Sequence, residues 1–173
     1  MPRIIKNESI VDDNWQVLTL AEGDTPESLS LPAEPALVPL AVWLARRDEL
    51  IATQAPLGVW LDSHEGPEAL AADIARFAVI GVNFPKFTDG RSYSSARLLR
   101  ERYHFAGEIR AIGDVLQDQL FYMQRCGIDA YALRGDKDID RALAGLSVFS
   151  ETYQAAVDQP YPLFRRRQAQ ESA

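Results

Sequence analysis

Lys86, Asp89 and Arg91 follow one another closely in the stretch FPKFTDGRSYSSARLLRERY, residues 84–103. Pro85 interrupts any strand ladder ahead of them, because proline has no amide proton to donate. Asp89-Gly90 is a strong turn pair. Ser92 or Ser94 then stands where a hydroxyl can cap a helix. First-turn amides flanked by Lys86 and Arg91 would suit a small oxyanion. The same residues also fit a plain structural turn in which Asp89 pairs with Arg91 or Arg97. Other reactive groups follow apolar runs: Asp62-Ser63-His64, Asn83, Gly113-Asp114, and Arg134 with Asp136. Asp114 is the best candidate base, although a carboxylate directly ahead of a helix is by default its N-cap. Adjacency of Asp62, Ser63 and His64 does not make a triad. His104 closes a helix, and Cys126, at helical spacing from Met123, reads as core packing.

Composition narrows the chemistry further. The 173 residues fit one domain, with 47% hydrophobic and 25% charged residues, an ordinary globular balance. A formal net charge of −7 repels phosphate backbones and anionic lipids, which argues against nucleic-acid and membrane-surface partners. Arg165-Arg166-Arg167 near the end is a local exception and reads as a solubilising tail. No apolar run reaches the roughly 18 residues of a membrane span, and the opening MPRIIKNESIVDDNW lacks the apolar core of a secretion signal. One cysteine cannot make an intrachain disulfide, so a reducing, cytoplasmic setting is expected. Nor can one chain with that cysteine ligate a four-thiolate cluster. Nucleotide, zinc-protease and nucleophile-elbow motifs are missing. No cofactor is predicted.

The elements that must position these residues alternate in type. Strands are expected at 15–20 (WQVLTL), 37–40, 57–62, 77–84, 107–114 and 129–133. Helical spacing runs from Trp43 to Ile51, from Pro67 through Leu70, Ile74 and Phe77, over 92–103, and over 116–126 with Gly127 as its stop. A last helix carries Ile139, Ala142, Leu143, Leu146, Phe149 and Tyr153. Four prolines lie between Pro26 and Pro39. Residues 1–35 therefore read as a strand plus a proline-rich arm, 36–158 as a single α/β domain and 159–173 as a basic tail.

Strand–helix alternation implies crossovers and a parallel sheet. Ile80, Val82 and Phe84 oppose the smaller Val79, Gly81 and Asn83, which suits a sheet with unlike faces. Arg110 inside a strand would be costly between sheet and helices but tolerable toward a wet barrel interior. Five βα units do not close a barrel of eight. The fold expected is α/β, repeating βα units with a parallel sheet, incomplete and TIM-barrel-like, completed by a second copy as a homodimer. An open doubly wound sheet is the alternative. In either, ligands bind where the strands end, so Asn83, Lys86, Asp89, Arg91, Arg110 and Arg134 are the candidate anion- or substrate-binding residues. No metal ligands are assigned.

The segment from Phe84 to Leu133 resembles DUF934, a bacterial family of unknown function, through FPKFTDGR, YS.AR.LR, GE.RA.GDVL.DQLF and RCG.D. The resemblance covers about residues 36–155, with Ser92 where the family often has glycine. Its members are described as oxidoreductases of sulfite reduction, largely because they are encoded beside sulfite reductase. That implies a role in assimilatory sulfur metabolism. Six-electron reduction needs an electron-rich centre that one cysteine cannot hold. The resemblance therefore implies an accessory protein that binds the reductase, its electron donor or a small sulfur oxyanion. The alternative is a small α/β enzyme acting on an anionic substrate, with Arg91 holding the anion and Asp114 as base.

Overall fold

The computed structural model describes residues 2–53 and 55–171. β1 (Arg3–Lys6) and β2 (Ser9–Asp12) form a hairpin. Asn7 and Glu8 between them take positive φ, 47° and 61°, as a tight hairpin with right-handed strand twist requires. Asp13–Trp15 lead directly to β3 (Gln16–Val17). After a 3₁₀ turn at Pro26–Ser28 come β4 (Ala36–Pro39), α1 (Leu40–Ala45) and α2 (Arg47–Ala52). β5 (Leu57–Leu61) is followed by 3₁₀ turns at Pro67–Leu70 and Ile74–Arg76, then β6 (Val79–Phe84), α3 (Arg91–Glu101) and β7 (Glu108–Gly113). A 3₁₀ turn at Gln117–Gln119 runs into α4 (Leu120–Arg125), and β8 (Ala130–Tyr131) follows. α5 (Ile139–Leu143), a 3₁₀ turn at Ala144–Ser147 and α6 (Leu163–Glu171) complete the described elements.

All eight strands share one sheet in the order β2-β1-β8-β7-β6-β5-β4-β3. From β3 to β8 the strands are parallel and follow chain order. The expected α/β class holds, but the sheet is mixed rather than wholly parallel. The hairpin adds antiparallel to β8, with Ile5 opposite Tyr131 and Lys6 opposite Ala130. The doubly wound alternative needs a reversal of strand order, and no reversal occurs between β3 and β8.

The sheet is curled into a half-barrel, and the chain's own connectivity enforces the curl. Asp12 and Gln16 lie on the two outermost strands. Four residue steps span at most about 14 Å, whereas eight strands laid flat would put their edges about 34 Å apart. The edges must therefore approach one another. The N-terminal hairpin adds two antiparallel strands beyond β8.

Register sorts the two faces. Val38, Val59, Ile80 and Ile109 form one cross-strand row, and Leu61, Val82, Ala111, Tyr131 and Ile5 form another. These pack with Trp43, Leu50, Phe77, Leu99, Leu120 and Met123 into one apolar core on the helix side. The concave face carries Trp60, Gly81, Arg110 and Ala130 in a row. Trp15 reaches that face from the crossing segment: a Cβ at Gly58 would lie 2.6 Å from its ring, so only glycine permits the approach.

Arg110 is 2% exposed, and its surroundings differ from the wet interior expected. Its Nη1 donates to both carboxylate oxygens of Asp13, at 3.0 and 2.9 Å, and its Nε donates to Glu108 Oε1 at 2.6 Å. Lys6 Nζ lies 2.7 Å from Glu108 Oε2. Two cations and two carboxylates thus neutralise one another inside the curl and fasten the crossing segment to β7.

The helix readings are shortened in several places, the span 116–126 included, where a 3₁₀ turn precedes α4. Trp43 to Ile51 is broken at Arg46 (φ −119°, ψ 27°), whose guanidinium turns to Leu29 O at 2.6 Å and to Glu49. The span from Pro67 to Phe77 forms two 3₁₀ turns, with the buried Asp73 between them bridging Arg47 and Arg76. The last helix leaves α geometry after Leu143. Of WQVLTL only Gln16–Val17 is strand, although Leu18 N still donates to Leu37 O.

Candidate functional site at the carboxyl edge of the parallel strands

β5 to β8 deliver Asp62, Asn83, Asp114 and Arg134 to one edge, as parallel topology requires. Asn83 Nδ2 donates to Asp62 Oδ1 at 2.9 Å, and His64 Nδ1 lies 3.3 Å from Asp62 Oδ2. Arg134 donates to Asp114 at 2.8 Å and to Asp136 at 2.6 Å. Arg110 does not join them, being committed deeper in the curl. Ser63, buried at 6%, is the residue whose role adjacency concealed. Its hydroxyl donates to Asp89 Oδ2 and accepts from Arg91 Nη2, both at 2.8 Å.

The turn at 85–91 is held by its own charges. Arg91 Nε and Nη2 grip the two oxygens of Asp89 at 3.0 and 2.6 Å, and the Arg91 backbone amide donates to Asp89 Oδ1 at 3.2 Å. Asp89 therefore satisfies the start of α3. Ser92 is already inside that helix, where it is buried and donates to the Asn83 carbonyl. Ser94 likewise lies within the helix, so neither serine is the cap. Lys86 has an exposed side chain, and its carbonyl accepts from Asp89 N at 2.9 Å.

Asp114 is likewise not the cap of the following helix. Leu116 occupies that place, its amide bonded to Gln119 Oε1 at 3.0 Å. Asp114 instead accepts from Phe87 N at 3.0 Å and from Arg134, joining the turn after β6 to the turn after β8. Gly113 makes the bend possible: its φ is +93°, a region open mainly to glycine.

These pairings hold carboxyls ionised. Arg91 and then Ser63 draw the Asp89 carboxyl well below the usual carboxylate range, Arg134 and Lys137 do the same for Asp136, and Arg47 lowers that of Asp73. Each is more acidic folded than unfolded. Each therefore stabilises the fold at neutral pH, and that contribution is lost as pH falls from about 4, the unfolded value, through the lower folded values. Far-UV circular dichroism should stay flat from pH 7 to about 4 and decline below it. Loss of structure centred above about pH 5 would contradict this assignment.

On the concave side of the same edge a cleft of about 440 Å³ opens between Val17, Trp60, Asn83, Ile112, Leu133 and Arg134. A separate apolar groove of about 450 Å³ lies on the outside, between Phe121, Tyr122, Val148 and Phe149. It adjoins a hollow of about 430 Å³ that shares Phe121 and Phe149 and is bordered by Glu8, Glu151 and Asp158. Tyr122, Val148, Phe149 and Tyr153 are 58%, 62%, 61% and 70% exposed. Helical spacing had placed Phe149 and Tyr153 on a core face. Gly145, within that spacing, was the signal that the helix would not run through them. Cys126 packs as expected, with burial pushing its thiol up.

Among the described residues no group of three or more His, Cys, Asp or Glu side chains could hold a metal ion. No described helix is long and apolar enough to cross a membrane. The bacterial family of unknown function DUF934 matches residues 58–164, well over half of the chain. The chain belongs to DUF934. No curated protein matches it. The DUF934 match takes in the whole edge from Asp62 to Asp136 and the outer groove. Asp13, Trp15 and Val17, which close the curl and wall the cleft, lie ahead of it.

Proposed function

We propose that this chain is a cytoplasmic accessory protein of assimilatory sulfite reduction, binding sulfite reductase or its electron donor rather than carrying a redox centre. The family resemblance supplies the pathway, and the incomplete TIM-barrel-like scaffold of βα units supplies a rigid frame. The observation that carries the binding role is the outer groove. Single exposed apolar residues are ordinary, but contiguous ones rimmed by polar groups mark interaction sites. Tyr122, Val148 and Phe149 line one groove, with the carboxylates of Asp118, Glu151 and Asp158 around it. Glu151 and Asp158 are already paired with Arg166 and Arg125, so that surface suits a partner segment chiefly through its apolar side chains.

A second reading, a small oxidoreductase acting on an anionic substrate, would use the carboxyl edge of the strands, where the cleft beside Asn83 and Arg134 is lined by neither Asp114 nor Arg91. In that reading Asp114 is the base and Arg91 the anion holder, although both are engaged by neighbours.

The deciding measurement is co-elution of the purified chain with purified sulfite reductase or its electron donor. The double variant Tyr122→Ser/Phe149→Ser should bind at least about thirty-fold more weakly, as loss of aromatic anchors at an interface does. Unchanged binding by the variant, or no complex with either protein, would refute the proposal. Sedimentation of the chain alone distinguishes a second copy seated in the groove from an external partner.

A further inference from the structure

Trp60, Asn83 and Ile112 come from three neighbouring strands and meet at the concave mouth. Val17 and Leu133 complete the walls of the cleft of about 440 Å³, within the size range of small-molecule sites. Trp60 Nε1 donates to Leu18 O at 2.8 Å, which satisfies the polar atom of the indole and anchors the ring as a wall. Asn83 spends one N–H on Asp62. Among the described residues its amide makes no further hydrogen bond, which leaves a donor and an acceptor side by side.

Charge decides what such a site can take. Asp114 and Asp136 share Arg134, Lys137 lies 3.1 Å from Asp136, and Asp62 is taken up by Asn83. The cation that lines the cleft, Arg134, is thus already held by two carboxylates, so an incoming anion meets no uncommitted positive charge there. A cation would have to compete with Arg134 and Asn83 for carboxylates already engaged. An uncharged amide edge faces neither obstacle.

We infer that this mouth binds a flat, uncharged heteroaromatic ring whose amide-like edge pairs with Asn83 while the ring lies along Trp60. The site is independent of the outer groove, and its test does not involve sulfite reductase.

The probes are the bicyclic lactam carbostyril and the carboxylate quinaldate, which has the same two-ring frame with a charge. Titration of each is followed through the Trp60 indole N–H and Asn83 side-chain amide signals by NMR. Carbostyril should shift both signals, with quinaldate at least ten-fold weaker. Asn83→Ala should abolish the response at Trp60. Because Asn83 also holds Asp62, a second variant guards against misfolding. A Cβ at Gly135 meets nothing within 4 Å, so Gly135→Leu should fill the mouth without disturbing the fold, and should block carbostyril. Equal or tighter binding of quinaldate, no shift with either probe, or full binding by Gly135→Leu would each overturn the inference.

Discussion

Arg110→Met should destabilise the protein by about 3–5 kcal/mol, as expected when one partner of a buried ion pair is removed. The loss has a specific address. Asp13, 8% exposed, would lose the guanidinium that holds both its oxygens, whereas Glu108 would retain Lys6 at 2.7 Å. At this chain length the change corresponds to a fall in Tm of roughly 6–20 °C. Pairing it with Asp13→Leu should recover part of the loss, since an apolar pair of similar volume is often neutral. Urea unfolding of the wild type, both singles and the double checks this. A single-variant cost below about 1 kcal/mol would mean the cluster does not hold the crossing segment in place.

Gly113→Ala should be comparably damaging, by about 2–5 kcal/mol, through backbone strain and overpacking together. An added Cβ would lie 2.4 Å from Asn83 Oδ1 and 2.5 Å from the Phe84 carbonyl oxygen, with φ at +93°. Neither neighbour can easily move. Phe84 pairs with Gly113 across the β6–β7 ladder and its carbonyl accepts from Asp114 N at 2.7 Å. Gly135→Ala is the matching control, expected within about 0.5 kcal/mol of wild type because its Cβ meets open space. Equal stability of the two variants would remove the argument that Gly113 sets the bend at the edge.

What the sequence made legible was whatever leaves a local trace. VIGVNF and EIRAIG are apolar runs bounded by turn residues, and β6 and β7 occupy them. Parallel topology then carried Asn83, Asp114 and Arg134 to one edge, because Asn83 stands at the end of β6 and the other two just past β7 and β8. The first twelve residues were opaque for the opposite reason. Their partner, β8, lies more than a hundred residues away, and an edge pairing of four residues has no periodicity of its own. Arg110 was recognised as anomalous, and Glu108 stands beside it at strand spacing, but its other counter-ion, Asp13, is 97 residues distant. No spacing rule reaches that far. Caps failed by two residues or more, with Asp89 binding the amide assigned to Ser92 or Ser94, because a short polar side chain competes well for a free amide from any nearby position.

The pairing of β1 with β8 sets an order of events during synthesis. A hairpin made first, from residues 3–12, has no sheet to join until Ala130–Tyr131 has left the ribosome. Until then the growing parallel sheet ends in an unsatisfied row of amides and carbonyls, a template for stray strands. Contacts this distant along the chain also slow folding. The vulnerable interval for aggregation is therefore late, and a nascent chain halted before β8 should associate with itself where one halted after it does not.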